Sequence, residues 1–272
     1  MIGQTHLWNN IYRAIERDRF PRFSILVGEH GSGKHYIARS ISLEMIARGI
    51  YIECTAESIR NAISSAYTVT DKAVYIIENV DNMSASAANA MLKVTEEPPN
   101  NAYFILLCEN EMNLLQNIRS RAVVYYMETY TYDELLEYIE TLGKDASKFL
   151  LDFATTPGEL KELYDMDYFA FEDYVNLVIN NIAEVNGANA LKIGDKINLK
   201  DDPKKYDLRL FWKAVMAVCA DKMVANTESE ICIKYGKCTA ITAEALQTLA
   251  IKGINKQMLF DKWVLDIRGV LL

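Results

Sequence analysis

The chain has 272 residues, half of them hydrophobic and about a quarter charged, and its 29 lysines and arginines stand against 37 aspartates and glutamates for a net charge of -8. This is a globular composition long enough for two or three domains, and its acidity argues against an autonomous high-affinity DNA binder, which needs clustered lysine and arginine, while leaving room for DNA contact through a local basic patch. No apolar run reaches the roughly 18–20 residues of a membrane span, the first ten residues lack a signal pattern, and the five cysteines make no C-x2-C pair, so neither zinc nor disulfides are expected and free thiols in a reducing cytoplasm are.

Apolar residues Leu7, Trp8, Ile11, Ala14 and Ile15 recur at helical spacing over residues 5–19, and Pro21 ends that helix. Residues 23–27, F-S-I-L-V, form a short strand that runs into a glycine-rich loop, and residues 36–48 have helical periodicity. A second strand is expected at 49–54 and a helix at 57–66. The apolar run at 73–77 predicts a strand inside a parallel sheet covered on both faces. A helix over 85–94 closes on Glu96-Glu97-Pro98-Pro99. Then come a buried strand at 103–108, a short helix at 114–121 and a last strand at 122–126. Strands and helices alternating at this spacing imply an α/β domain over residues 1–128.

Beyond residue 130 the pattern is helical only. Short helices are expected at 132–141, 148–153 and 157–164, giving a small helical domain over 129–174. Helices at 171–186, 208–224, 242–253 and 255–272 then make an all-helical C-terminal domain over 175–272. The polar stretch 187–207 reads as an interhelical loop. The apolar clusters around Trp212 and Trp263 read as domain cores. No internal repeat is present.

Residues 28–35 read G-E-H-G-S-G-K-H. They fill the phosphate-loop pattern G-x-x-x-x-G-K-[ST] up to its last position, in the strand, loop, helix order it requires. Gly28, Gly31 and Gly33 allow the tight turn, the amides around Ser32 face a phosphate, and Lys34 reaches its outer oxygens. His35 stands where a hydroxyl should hold magnesium, and imidazole is too soft a donor for that ion. ATP or ADP could still bind on amides and lysine, or the site is an empty remnant. The partner strand ends in Glu78 and Asn79, where an aspartate for magnesium and a glutamate to orient water are usual. Glu78 could reach the ion through water, Asn79 is a poor general base, and both could simply cap the strand. Weak or absent magnesium binding and very slow or absent hydrolysis are expected.

The run over residues 74–107, V-Y-I-I-E-N-V-D-N-M-S-A-S-A-A-N-A-M-L-K-V-T-E-E-P-P-N-N-A-Y-F-I-L-L, resembles the bacterial DNA polymerase III clamp-loader subunits of the delta-prime, gamma and tau group. Asn89, Ala90, Leu92, Lys93, Glu96, Glu97, Pro98 and Pro99 sit on the family's helix motif, Gly3 and Gln4 fit it upstream, and residues 114–121 are similar to its L-L-P-T-I-x-S-R segment. The resemblance is strong over 3–126 and moderate over 130–165. It implies an AAA+ P-loop domain with a parallel sheet, a helical lid and a helical collar domain that joins delta and gamma/tau-type subunits in a hetero-pentamer. Primer-template DNA and the sliding clamp would be met mainly through that complex. It further implies that Ser120 and Arg121 are the pair that projects an arginine finger into a neighbour's ATP site. A local surface salt bridge is the alternative for Arg121.

The chain departs from the family in several places. Cys108-Glu109-Asn110 occupies the sensor-1 turn and leaves Asn110 as the candidate phosphate reader. Glu159, in T-T-P-G-E, stands where a cation would read phosphate and should repel it. The four-cysteine zinc insertion is missing. A delta-prime-like subunit without a working ATP site of its own is therefore expected. The alternatives are a weak ATPase of the same superfamily and a nonenzymatic replication or phage adaptor.

Overall fold

The computed structural model describes residues 2–183, 191–200, 205–226, 229–251 and 253–272. It divides into two compact units: Met1–Tyr138 with Thr156–Gly158, and Ile139–Thr155 with Glu159–Leu272. The expected lid stretch, 129–174, contributes to both.

The first unit is built on a five-stranded parallel sheet in the order β2-β3-β4-β1-β5. The strands are β1 (Phe23–Val27), β2 (Arg48–Ile52), β3 (Ala73–Ile77), β4 (Ala102–Cys108) and β5 (Val123–Tyr126). Every residue of β1, β3 and β4 is buried, as an apolar run without alternation requires. On one face α3 (Ala56–Ala66) and α4 (Ala85–Glu96) bring Ile59, Ile63, Met91 and Val94 against Ile25, Tyr75, Phe104 and Leu106. On the other, α1 (Thr5–Glu16) and α2 (Lys34–Glu44) bring Leu7, Ile11, Ile37 and Ile41 against Leu26, Val74, Ile76 and Ile105. Thr55 and Ser84 open α3 and α4 by accepting the Ser58 and Ala87 amides at 3.1 and 3.2 Å. The helix expected over 114–121 is shorter: a 3-10 turn at Glu111–Asn113 precedes α5 (Gln116–Arg119).

The chain's first residues are tied to the segment after β5. Gln4 is buried and exchanges two 2.8 Å hydrogen bonds with the backbone of Glu128. Gly3 has φ +68°, and a Cβ there would lie 2.4 Å from the Tyr130 ring, so glycine is required on both counts. This gives the Gly3-Gln4 match a structural reason. Helix α6 (Tyr132–Thr141) follows.

The second unit is helical: α7 (Lys148–Phe153), most of α8 (Pro157–Asp165), α9 (Tyr168–Asn181), α10 (Leu208–Ala225), α11 (Ser229–Leu249) and α12 (Lys256–Leu271). Trp212, Trp263, Phe211 and Phe260 are fully buried, with Phe211 edge-on to Trp263 at 5.7 Å. The Trp263 indole donates to Thr242 Oγ1 at 3.0 Å, which satisfies a polar atom inside this core. Helix α11 starts thirteen residues before the expected 242. Its first half carries Ile231, Ile233, Cys232, Gly236 and Thr239, residues of low helix propensity, and packing between α10 and α12 holds it. Of the expected loop 187–207, Leu191–Lys196 form a 3-10 helix and Ile197 bridges to Tyr206; 187–190 and 201–204 lie outside the described residues, as do 184–186 of the expected helix. Among the described residues no helix is long and apolar enough to cross a membrane.

Phe104 is fully buried and stacks on Tyr75 at 5.0 Å. Phe104→Ala should lower the stability of the first unit by about 3–5 kcal/mol, read from urea denaturation followed by circular dichroism.

Candidate functional site

The strand register brings the ends of β1, β3 and β4 side by side, with Val27 opposite Cys108 and Ile77 opposite Leu106. The glycine loop leaves β1 at this edge. The Gly28 amide donates to the Cys108 carbonyl at 3.1 Å, and a Cβ on Gly28 would meet Met127 Cγ at 2.5 Å. Gly31 and Gly33 take φ of 73° and 89°, left-handed values that favour glycine, and α2 begins at Lys34 directly after. Ser32 is buried, its Oγ has no hydrogen-bond partner, and its carbonyl accepts the Tyr130 hydroxyl at 2.9 Å. The Lys34 ammonium turns back into the loop and donates to the carbonyls of Gly28 and Glu29, each at 2.7 Å.

Two of the residues that depart from the magnesium pattern meet. His35 Nδ1 lies 3.0 Å from Glu78 Oε1. Asn79, next along, takes a left-handed φ of 53° at the start of a 3-10 turn. The acid that organises this edge is one that sequence reasoning passed over. Asp81 accepts the backbone amides of Glu109 and Asn110, both at 2.8 Å, and fixes the turn after β4. Its only signal in the sequence is an aspartate placed four residues beyond a strand. The Asn110 side-chain oxygen accepts the Met112 amide at 2.9 Å and caps the next 3-10 turn, so the candidate phosphate reader has a local structural job. Burial pushes the thiol of Cys108, at the end of β4, up to about 12, which keeps it protonated and unreactive at neutral pH.

Thr156–Gly158 dock on the loop. Thr156 Oγ1 donates to the His30 carbonyl at 2.9 Å and the Gly158 amide to the Gly31 carbonyl at 3.0 Å. The backbones approach so closely that a Cβ on Gly158 would lie 2.3 Å from Gly31 Cα. Glu159 is 1% exposed and belongs to the second unit. There Lys213 Nζ holds it at 2.6 Å, and it caps α8 by accepting the Thr155 amide at 2.9 Å. Its charge is thus paired with that of Lys213.

Ser120 and Arg121 follow α5 and precede the edge strand β5. The Arg121 side chain is 38% exposed, and its guanidinium pairs with Glu96 at 3.1 Å and donates to the Asn117 carbonyl at 3.0 Å. The Ser120 hydroxyl donates to the Asn117 carbonyl at 3.2 Å. An exposed pair of this kind is worth at most about 1 kcal/mol, so the guanidinium can exchange Glu96 for another anion at little cost. Among the described residues no group of three histidines, cysteines or acids could hold a metal ion.

A five-stranded parallel sheet in the order β2-β3-β4-β1-β5 flanked by helices, with a phosphate loop after β1, is a fold similar to that of AAA+ proteins. The sequence profile of the family described as "DNA polymerase III, delta subunit" matches residues 49–131. The chain is 25% identical over 235 residues to the DNA polymerase III subunit gamma of Buchnera aphidicola subsp. Schizaphis graminum, covering 72% of this chain and 63% of that one. It is 28% identical over 202 residues to the DNA polymerase III subunit delta-prime of Bacillus subtilis, covering 61% of each. The chain thus spans under two thirds of these relatives. A crystal structure of a DNA polymerase III gamma subunit-related protein from Thermotoga maritima has the same fold, with a TM-score of 0.52, 16% identity, and coverage of 97% of this chain and 99% of that one. In sequence the chain is thus similar to the DNA polymerase III gamma and delta-prime subunits.

Two substitutions test this geometry. Asp81→Ala strips a charged acceptor from two amides and should cost about 1–3 kcal/mol, seen as a lower urea midpoint. Gly158→Ala forces two backbones apart and should destabilise by about 1–3 kcal/mol, with faster amide exchange at Gly31–Gly33 than in the unmodified protein.

Proposed function

We propose that the chain is a delta-prime-like subunit of a cytoplasmic DNA polymerase III clamp loader. In this reading it joins delta and gamma/tau-type ATPase subunits in a hetero-pentamer, with residues 175–272 in the collar. It lends Arg121, flanked by Ser120, to the ATP site of a neighbouring subunit. Sliding-clamp loading onto primer-template DNA is then the work of the complex.

The observation that carries the reading is the direct contact of His35 with Glu78. The two positions that should serve magnesium serve each other, while an exposed arginine sits at the rim of the sheet behind an exchangeable ion pair. A guanidinium is always charged and offers a planar fork to phosphate oxygens. Supplied in trans, it stabilises charge on a transferring phosphoryl group. A weak gamma-type ATPase is the second reading, favoured by the match to a gamma subunit. It requires Mg·ATP binding that is lost on Lys34→Ala.

The test is the DNA- and clamp-stimulated ATPase rate of a complex reconstituted with delta and gamma/tau-type subunits. Arg121→Ala should lower the rate by at least about tenfold, since trans arginines contribute factors of a thousand or more, while assembly by size exclusion is retained. Arg121→Lys should also fall, because an ammonium lacks the fork. An undiminished rate in an assembled complex overturns the assignment.

A further inference from the structure

Phosphate loops that work with magnesium hold the ion between a hydroxyl directly after the loop lysine and an acid at the end of the partner strand. The residues at this edge do not fit that ion. Magnesium demands near-octahedral oxygen coordination, whereas position 35 offers an imidazole, a softer nitrogen donor. His35 Nδ1 lies 3.0 Å from Glu78 Oε1, so one oxygen of this carboxylate is occupied by the ring nitrogen beside it. Asn79 is neutral, and Asp81, the remaining acid after β3, accepts two backbone amides at 2.8 Å and sits 3.5 Å from Asn113 Nδ2.

The substitutions are a matched pair. His35 is in the first turn of α2 and Glu78 directly follows β3, the two elements that a bound magnesium ion would bridge. We propose that the His35–Glu78 pair takes the ion's place as the link between α2 and β3, and that any phosphate ligand of this loop is bound without a divalent cation. An imidazole and a carboxylate replace a hydroxyl, an ion and a carboxylate, so the loop keeps its tie to the sheet whatever the magnesium concentration. The inference concerns the chain's own loop and holds whether or not Arg121 acts in trans.

The experiment is equilibrium binding of a ribose-labelled fluorescent ADP to the purified protein, by anisotropy, in magnesium chloride and in EDTA. The protein as it stands should give the same curve in both conditions, whether that curve is flat or saturable. His35→Thr combined with Glu78→Asp restores the hydroxyl and the shorter acid. Folded by circular dichroism, it should bind at least about tenfold tighter with magnesium than with EDTA, because a bound cation becomes the largest local charge beside the phosphates. Magnesium-dependent tightening in the unmodified protein overturns the proposal. So does a folded double variant that gains no magnesium dependence. Nitrogen NMR of the imidazole gives an independent reading if the double variant does not fold. His35 should carry its proton on Nδ1 and be unmoved by magnesium, and an unprotonated Nδ1 or a magnesium-induced shift overturns the proposal.

Discussion

Strands β1, β3 and β4 are covered by helices on both faces, so none of their side chains meets water, and a polar group on them is costly except past a strand's end. All chemistry is thereby pushed to the carboxyl ends. The parallel register then lines those ends up, so that Gly28, Glu78 and Glu109 emerge beside one another. Open parallel sheets place their ligand sites at this edge for the same reason. The position of the candidate site therefore follows from the apolar runs before any residue in it is considered.

What distinguishes this site is how many of its polar groups find partners within the chain. Asp81 is bonded to the turn after β4, His35 to Glu78, Asn110 to the Met112 amide, and the loop carbonyls of His30 and Gly31 to Thr156 and Gly158. Protein atoms thus meet most of the polar groups at this edge, the buried Ser32 Oγ excepted. The edge is thus held in shape by its own contacts, as suits a subunit proposed to complete a neighbour's site.

Much of this was legible in the sequence. The strands at 23–27 and 73–77 are bounded as their apolar runs dictate, and the loop at 28–34 sits between strand and helix as its pattern requires. The run over 74–107 carried the family, and the comparisons agree. What was hidden has physical reasons. Residues 229–241 look too rich in β-branched side chains and glycine for a helix, and only tertiary packing overrides that preference. Glu159 reads as a repulsive charge until Lys213, 54 positions away, is found at 2.6 Å. Asp81 shows no motif, because its partners are backbone amides that any residue could supply. Contacts made by main chain, or across long separations, leave no local pattern to read.

The folded-back lysine has a consequence of its own. The two carbonyls that Lys34 engages are tethered to it by five and six residues, so they are present at the high effective concentration of an intramolecular ligand. An anion that met the ammonium would compete with these resident acceptors for its N–H groups, so the strength of such a contact would depend on how tightly the side chain holds its own backbone.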